Sequence, residues 1–242
     1  MGFPTGKIKL LLLCVVAVLP SFLKRPCYRF FFGYKIGKRV RIGMTLLDAN
    51  ECVLSNDVTI GHFNIFIGIK SLSIGEHARI GHFNIFRGGS EIKLGHYSEV
   101  LRFNEINSIP DPIVVNQVDP KFILGDGSII TTSHKIDFTD RVEIGKRVIL
   151  GGRNSSLWTH NRQRTKPISI GDYSYIGSEI RIAPGGSIPA RCVVGIGSVI
   201  TKDLQEEETL IAGVPAKSIK KLDEDAKFLI EYKTRPDLPD LL

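Results

Sequence analysis

The chain has little of what usually marks a function. Its four cysteines, Cys14, Cys27, Cys52 and Cys192, show no C-x-x-C spacing, which excludes a disulfide framework and points to a reducing compartment. No nucleic-acid-binding motif occurs. No apolar run approaches the ~20 residues that span a bilayer as a helix; the one from residue 10 to residue 23 is about 14 long and is interrupted by Pro20. Acidic residues are missing from one end. Residues 1–47 hold nine Lys or Arg and no Asp or Glu, whereas the rest carries 23 bases against 25 acids. The net charge of +7 therefore belongs to the N-terminus, and suits an anionic membrane surface more than nucleic acid.

Residues 1–33 are expected to form a membrane-associating segment. No A-x-A-like cleavage site follows the apolar run, so an interfacial helix is favoured over a signal peptide. Lys7, Lys9, Lys24, Arg25 and Arg29 would sit at headgroup level. The alternative is a helix that caps the fold and buries its apolar face there, and the two roles are compatible.

What the chain does have is a repeat. Residues 60–66 and 80–86 both read IGHFNIF. Downstream, Ile170, Ile176, Ile182, Ile188, Val194 and Ile200 fall on an unbroken six-residue lattice. Upstream the lattice runs Leu54, Ile60, Phe66, then Ile74, Ile80, Phe86, then Leu94, Val100, Ile106, with a 20-residue turn. A beat of six fits neither a helix stripe nor a plain alternating strand. It fits short strands joined by corners, three to a coil, with coils stacked into a column. The fold class is therefore all-β. Glycine after so many lattice residues is read as the means of turning the corners. Like would stack on like, so Asn64, Asn84 and Asn104 form an amide ladder and the phenylalanines a column.

Interruptions of the lattice must leave the column as loops. One lies between Ile136 and Ile144, and a longer one between Ser156 and Ile170. Positions 136 and 156 are one turn apart, so the two breaks should stack, setting His160 beside Asp137, Asp140 and His134. Neutral imidazole suits removal of a hydroxyl proton at cellular pH, and a carboxylate on its other nitrogen would fix the tautomer. His160 and His134 are both candidate bases; His134 is alternatively a ladder residue stacked on Asn154. Arg153, Asn154, Trp158 and Arg162, near the long loop, are candidate substrate contacts. His62, His77, His82 and His96 are read as outward coil residues. Residues 223–233 read as a short C-terminal helix with Phe228, Leu229 and Tyr232 on its packing side.

The stretch ISIGDYSYIGSEIRIAPGGSIPARCVVGIGSVITKDL, followed by LIAGVPAKSIK, resembles the C-terminal half of hexapeptide-repeat acyltransferases, most closely those that O-acetylate sugars and surface polysaccharides. The resemblance covers residues 34–220 in pattern and about 124–220 in motif. It implies a left-handed parallel β-helix over 34–213, a cofactor-flanking segment and helix over 214–242, acetyl-CoA as acyl donor and a homotrimer with sites between subunits. In the matched motifs Tyr175, Gly177, Ser178, Ile196, Thr201, Lys202, Pro215 and Lys217 would line the pantetheine and nucleotide. His160 in WTHN matches the loop histidine of the family, and His134 with Asp137 matches an H-x-x-D pair. No metal is expected. The five-residue spacing of His77 and His82 resembles the zinc-dependent carbonic-anhydrase branch, but the third histidine of that branch has no match. The expected function is O-acetylation of a sugar or glycan hydroxyl at the cytoplasmic face of the inner membrane; the alternatives are a γ-type carbonic anhydrase and a non-enzymatic β-helical scaffold.

Overall fold

The computed structural model describes residues 6–109 and 119–231. Its body is a parallel β-solenoid of about eight turns. Strand pairing follows one column per side: 41–42 on 59–60, then 79–82, 99–102, 129–132, 149–153, 175–176, 193–194 and 209–213. The other two sides merge into one sheet because the long strands Leu46–Leu54 and Ile65–Ile74 each run through a corner. The winding is consistent with the left-handed β-helix implied by the resemblance.

Every lattice residue points inward. Ile60, Ile80, Val100, Ile130, Leu150, Ile176 and Val194 stack in register and are buried, and Phe66 lies flat on Phe86 with ring centroids 4.4 Å apart. The amide ladder is present: Asn64 Oδ1 accepts from Asn84 Nδ2 at 3.0 Å, and Asn84 Oδ1 from Asn104 Nδ2 at 3.1 Å. In a dry interior each such bond removes a desolvation penalty as well as adding an attraction.

The corners are made differently from the expectation. The glycines after lattice residues are not the left-handed residues; that conformation falls on Phe63, Phe83 and Phe103 at one corner and on Asp57, His77 and Tyr97 at another. Glycine is required instead by close approach of successive coils. A Cβ on Gly61 would lie 2.2 Å from the Gly81 carbonyl oxygen, and one on Gly81 would lie 1.9 Å from that of Leu101. The left-handed phenylalanines are free to stack outside, with centroids 5.1 Å apart.

One register expectation is also corrected. Leu157, not Ser156, stands opposite Ile136, because a bulge between Ile130 and Thr132 and the strand Ile149–Arg153 absorbs one extra residue. Gly152, with φ of +64° and no room for a Cβ beside Ser178, is the residue that makes this possible.

Two helices, α1 (Gly6–Val18) and α2 (Ser21–Phe32), close the first coil. Leu13, Val16, Tyr28 and Phe32 enter the core, and Lys9 pairs with Asp48 at 2.7 Å. The capping role is thus real, and no helix among the described residues is long and apolar enough to cross a membrane. At the far end, strands Thr209–Gly213 and Ala216–Lys221 form an antiparallel hairpin, followed by α3 (Glu224–Glu231). The packing side of α3 differs from the expected one: Ile230 is buried against Val193 and Leu222, while Phe228 is 65% exposed. Tyr232 and residues 110–118 lie outside the described residues.

Candidate active site

Register builds the site. Arg87, Asn107, Asp137 and Trp158 occupy one row of aligned positions on adjacent strands, each directly after an inward lattice residue and so facing out. After Trp158 the chain leaves the column and returns at Ile168, with His160 bridged to Thr165 across the loop and Thr159 O accepting from Lys166 N at 2.8 Å. Asn161 Oδ1 holds the tip by accepting from the backbone N–H groups of Gln163 and Arg164. The loop folds over Asp137, which is only 8% exposed despite its outward position.

Asp137 is surrounded by donors. Its Oδ2 accepts from His160 Nδ1–H at 2.8 Å, from the Thr159 hydroxyl at 2.6 Å and from the Thr159 N–H at 3.0 Å; its Oδ1 accepts from the Thr139 hydroxyl at 2.7 Å. Four donors on two oxygens is the complement of a carboxylate. With Nδ1–H committed to Asp137, the lone pair of His160 is on Nε2, which makes no hydrogen bond among the described residues. The ring borders a cavity of about 230 Å³ lined also by Arg87, Glu105, Asn107, Ser108, Ile109, Lys135, Ile136 and Trp158. Asn107 Oδ1 is buried there with no hydrogen-bond partner among the described residues, while its amide nitrogen donates to Glu105 at 2.7 Å.

Asp140, the second acid of the loop, touches the pair through Thr159, whose hydroxyl accepts from Asp140 N at 3.0 Å. Thr159 and Thr139 escaped sequence reasoning, as did Asn107. A hydroxyl two residues from an acid and one beside the histidine were the only signals available.

His134 is elsewhere. It continues the amide ladder one coil below Asn104, with its N–H on Asn104 Oδ1 at 3.0 Å, and is fully buried. Its Nδ1 accepts from Ser155 N at 3.1 Å, so the ring proton is on Nε2, 3.0 Å from the Thr131 hydroxyl. The rung below is Ser155, not Asn154, because of the bulge. Burial pushes the His134 pKa down to about 4.

The other candidates are dispersed. Trp158 lines the cavity, but Arg153 and Asn154 lie at the preceding corner, where Asn154 O accepts from Arg181. Arg162 is exposed on the loop tip. Tyr175, Gly177 and Ser178 sit at the end of a different side of the column, beneath which Ile196 is 73% exposed. Gly177 packs against the next coil, where a Cβ would lie 2.9 Å from Val194 O. Thr201, Lys202, Pro215 and Lys217 are exposed on the last coil and its hairpin. None of these eight borders the His160 cavity within one chain. His77 and His82 stand at successive corners, stacked on Tyr97 and on His62, so their spacing does not bring them together. Among the described residues no cluster of three His, Cys, Asp or Glu is placed to hold a metal ion.

The architecture is a parallel β-solenoid consistent with a left-handed β-helix, carrying a carboxylate-oriented histidine over a cavity. The chain has relatives named as acetyltransferases. It is 38% identical over 69 residues to galactoside O-acetyltransferase of Escherichia coli, covering 28% of this chain and 34% of that enzyme. The chain thus spans about a third of the length of that curated relative. Among solved structures it is similar to UDP-N-acetylglucosamine acyltransferase from Campylobacter jejuni, with a TM-score of 0.47 and 16% identity over 81% of this chain and 76% of that one. It is also similar to a hexapeptide-repeat acetyltransferase from Vibrio cholerae complexed with acetyl coenzyme A, with a TM-score of 0.39 and 18% identity over 92% and 94% of the two chains. Neither structural likeness bears on chemistry. No protein-family model matches the chain.

Proposed function

We propose that this protein is an O-acetyltransferase that moves an acetyl group from acetyl-CoA to a hydroxyl of a sugar or glycan. The observation that carries the reading is the 2.8 Å contact of His160 Nδ1 with the enclosed Asp137, which leaves Nε2 as a base at the cavity. In the reaction, the acceptor hydroxyl gives its proton to Nε2 as its oxygen attacks the thioester carbonyl. The imidazolium so formed is stabilised by Asp137. Collapse of the tetrahedral intermediate breaks the C–S bond, and the proton passes to the departing thiolate, giving the acetyl ester and free coenzyme A.

Asn107 Oδ1, which has no hydrogen-bond partner among the described residues, and the exposed face of Trp158 are suited to a sugar, offering one acceptor for a hydroxyl and one apolar surface for a ring. Since Tyr175, Gly177, Ser178 and the last-coil residues lie on another side of the column, acetyl-CoA held by them would reach His160 only from a neighbouring copy. A homotrimer supplies that geometry. The basic N-terminal segment would keep the enzyme on the cytoplasmic face of a membrane, where acetyl-CoA is made and lipid-linked glycans are presented.

The test is thiol release from acetyl-CoA against a panel of sugars. His160→Ala should lose about 10²–10⁴-fold in rate, and His134→Asn should retain activity. Equal rates for wild type and His160→Ala would remove the mechanism.

A further inference from the structure

The N-terminal helices bury one side and leave the other bare. On α1, Ile8, Leu11, Val15 and Val18 recur at helical spacing and are each more than half exposed, opposite buried Leu13, Val16 and Ala17. On α2, Phe22 and Phe30 flank Pro26 on one face and are 72% and 69% exposed. A helix that is apolar all round needs an apolar surrounding on both sides, and the solenoid supplies only one.

Directly beside Phe22, between the first turns of α2 and the strands 41–42, 59–60 and 79–82, lies a cavity of about 700 Å³. Four guanidinium groups line it, Arg25, Arg39, Arg41 and Arg79, with one lining carboxylate, Asp57, and with Glu99 behind the rim pairing with Arg79 at 3.7 Å. Asp57 is engaged by Arg39 through two bonds of 2.5 and 2.6 Å. Arg41 Nη2 donates to the Thr59 hydroxyl at 3.3 Å, and its charge also acts on Asp57. Arg25 donates to Gly37 O through Nη2, and its Nε is buried with no hydrogen-bond partner among the described residues. An excess of positive charge is thus gathered at the edge of an exposed apolar face.

We propose that this cavity receives a membrane-borne phosphate ester while α1 and α2 lie in the headgroup layer. Guanidinium forks suit phosphate oxygens, and the volume admits a headgroup as well as its phosphate. The apolar stripes would enter the acyl boundary. The inference rests on the membrane reading of the N-terminal segment but not on the catalytic chemistry.

The experiment is flotation of the full chain on three vesicle types: neutral phosphatidylcholine, phosphatidylcholine made anionic with phosphatidic acid, and phosphatidylcholine given the same surface charge with oleate. Binding to phosphatidic acid vesicles should be strongest and should weaken with salt. Arg41→Gln/Arg79→Gln should lose that preference, with binding about tenfold or more weaker, since each basic residue near an anionic surface is worth about fivefold. Leu11→Gln/Phe22→Gln should leave every vesicle type unbound. Equal binding to phosphate and carboxylate vesicles, or an arginine variant that behaves as wild type, would overturn the phosphate seat while leaving membrane contact standing. Failure to float on any vesicle, with the Leu11→Gln/Phe22→Gln variant sedimenting as a smaller species, would overturn both and assign the face to a second copy of the chain.

Discussion

His160 and Asp137 are 23 residues apart in sequence and 2.8 Å apart in space, because Asp137 pairs in register with Trp158 two residues before the histidine. A single rung of the column therefore fixes how far the loop must travel. The consequences can be measured.

Asp137→Asn should leave the fold intact and lower the rate by about 10²–10⁴-fold, the amide donating to Nδ1 and holding the imidazole in the wrong tautomer. Thiol-release kinetics on wild type and variant, with thermal melts as the control for folding, measure this. A loss under threefold would mean that the carboxylate does not orient the base.

Thr159 is a positioning residue. Thr159→Val removes a 2.6 Å bond to Asp137 and strands the Asp140 N–H, so it should cost about 1–3 kcal/mol of stability. It should also lower kcat more than it raises KM, and alter the pH profile of the rate. Thr159→Ser, which keeps the hydroxyl, should restore the profile; a purely structural role would restore stability and leave the profile untouched in both.

His134 should make the protein acid-sensitive. The unfolded chain protonates this ring near 6.5 and the folded chain only near 4, so the unfolded state binds more protons between those values. Its stabilising contribution is fully present above about pH 6.5 and is lost as pH falls towards 4, amounting to roughly 3 kcal/mol. Denaturant midpoints across that range should fall for wild type and fall less for His134→Asn, which extends the amide ladder. Parallel curves for the two proteins would contradict the assignment of this ring as neutral.

Gly152→Ala tests the bulge. With φ of +64° and a Cβ placed 1.6 Å from Ser178 Oγ, the substitution should cost about 1–3 kcal/mol. It should also disturb the register that sets Leu157 opposite Ile136, and with it the histidine–aspartate contact. The paired measurements are melting temperature and kcat; a normal kcat in a destabilised variant would separate the bulge from the site.

The sequence by itself determined the column. A six-residue apolar beat leaves only one way to bury Ile60, Ile80 and Val100 together, and repeated asparagines at one corner satisfy one another only when coils stack. It also announced where the chain must leave the column, because fourteen residues cannot fit where six do. What it did not decide was the register by which the loop returns. That depended on one extra residue absorbed at Gly152, a backbone feature that carries no periodic signal.

The two histidines show the same division. Both lie near the same break in sequence, yet tertiary structure put His134 inside, its lone pair taken by Ser155 N–H, and His160 outside with Nε2 towards a cavity. Counting gave candidates; burial and hydrogen-bond direction separated their roles. The N-terminal segment likewise declared its charge and apolarity in sequence, but only packing against the first coil revealed which face is covered and which remains bare. Periodicity specifies which residues point inward, since burial repeats with the coil. Local insertions and packing decide which outward-facing groups meet, since those contacts join distant parts of the chain and leave no period to read.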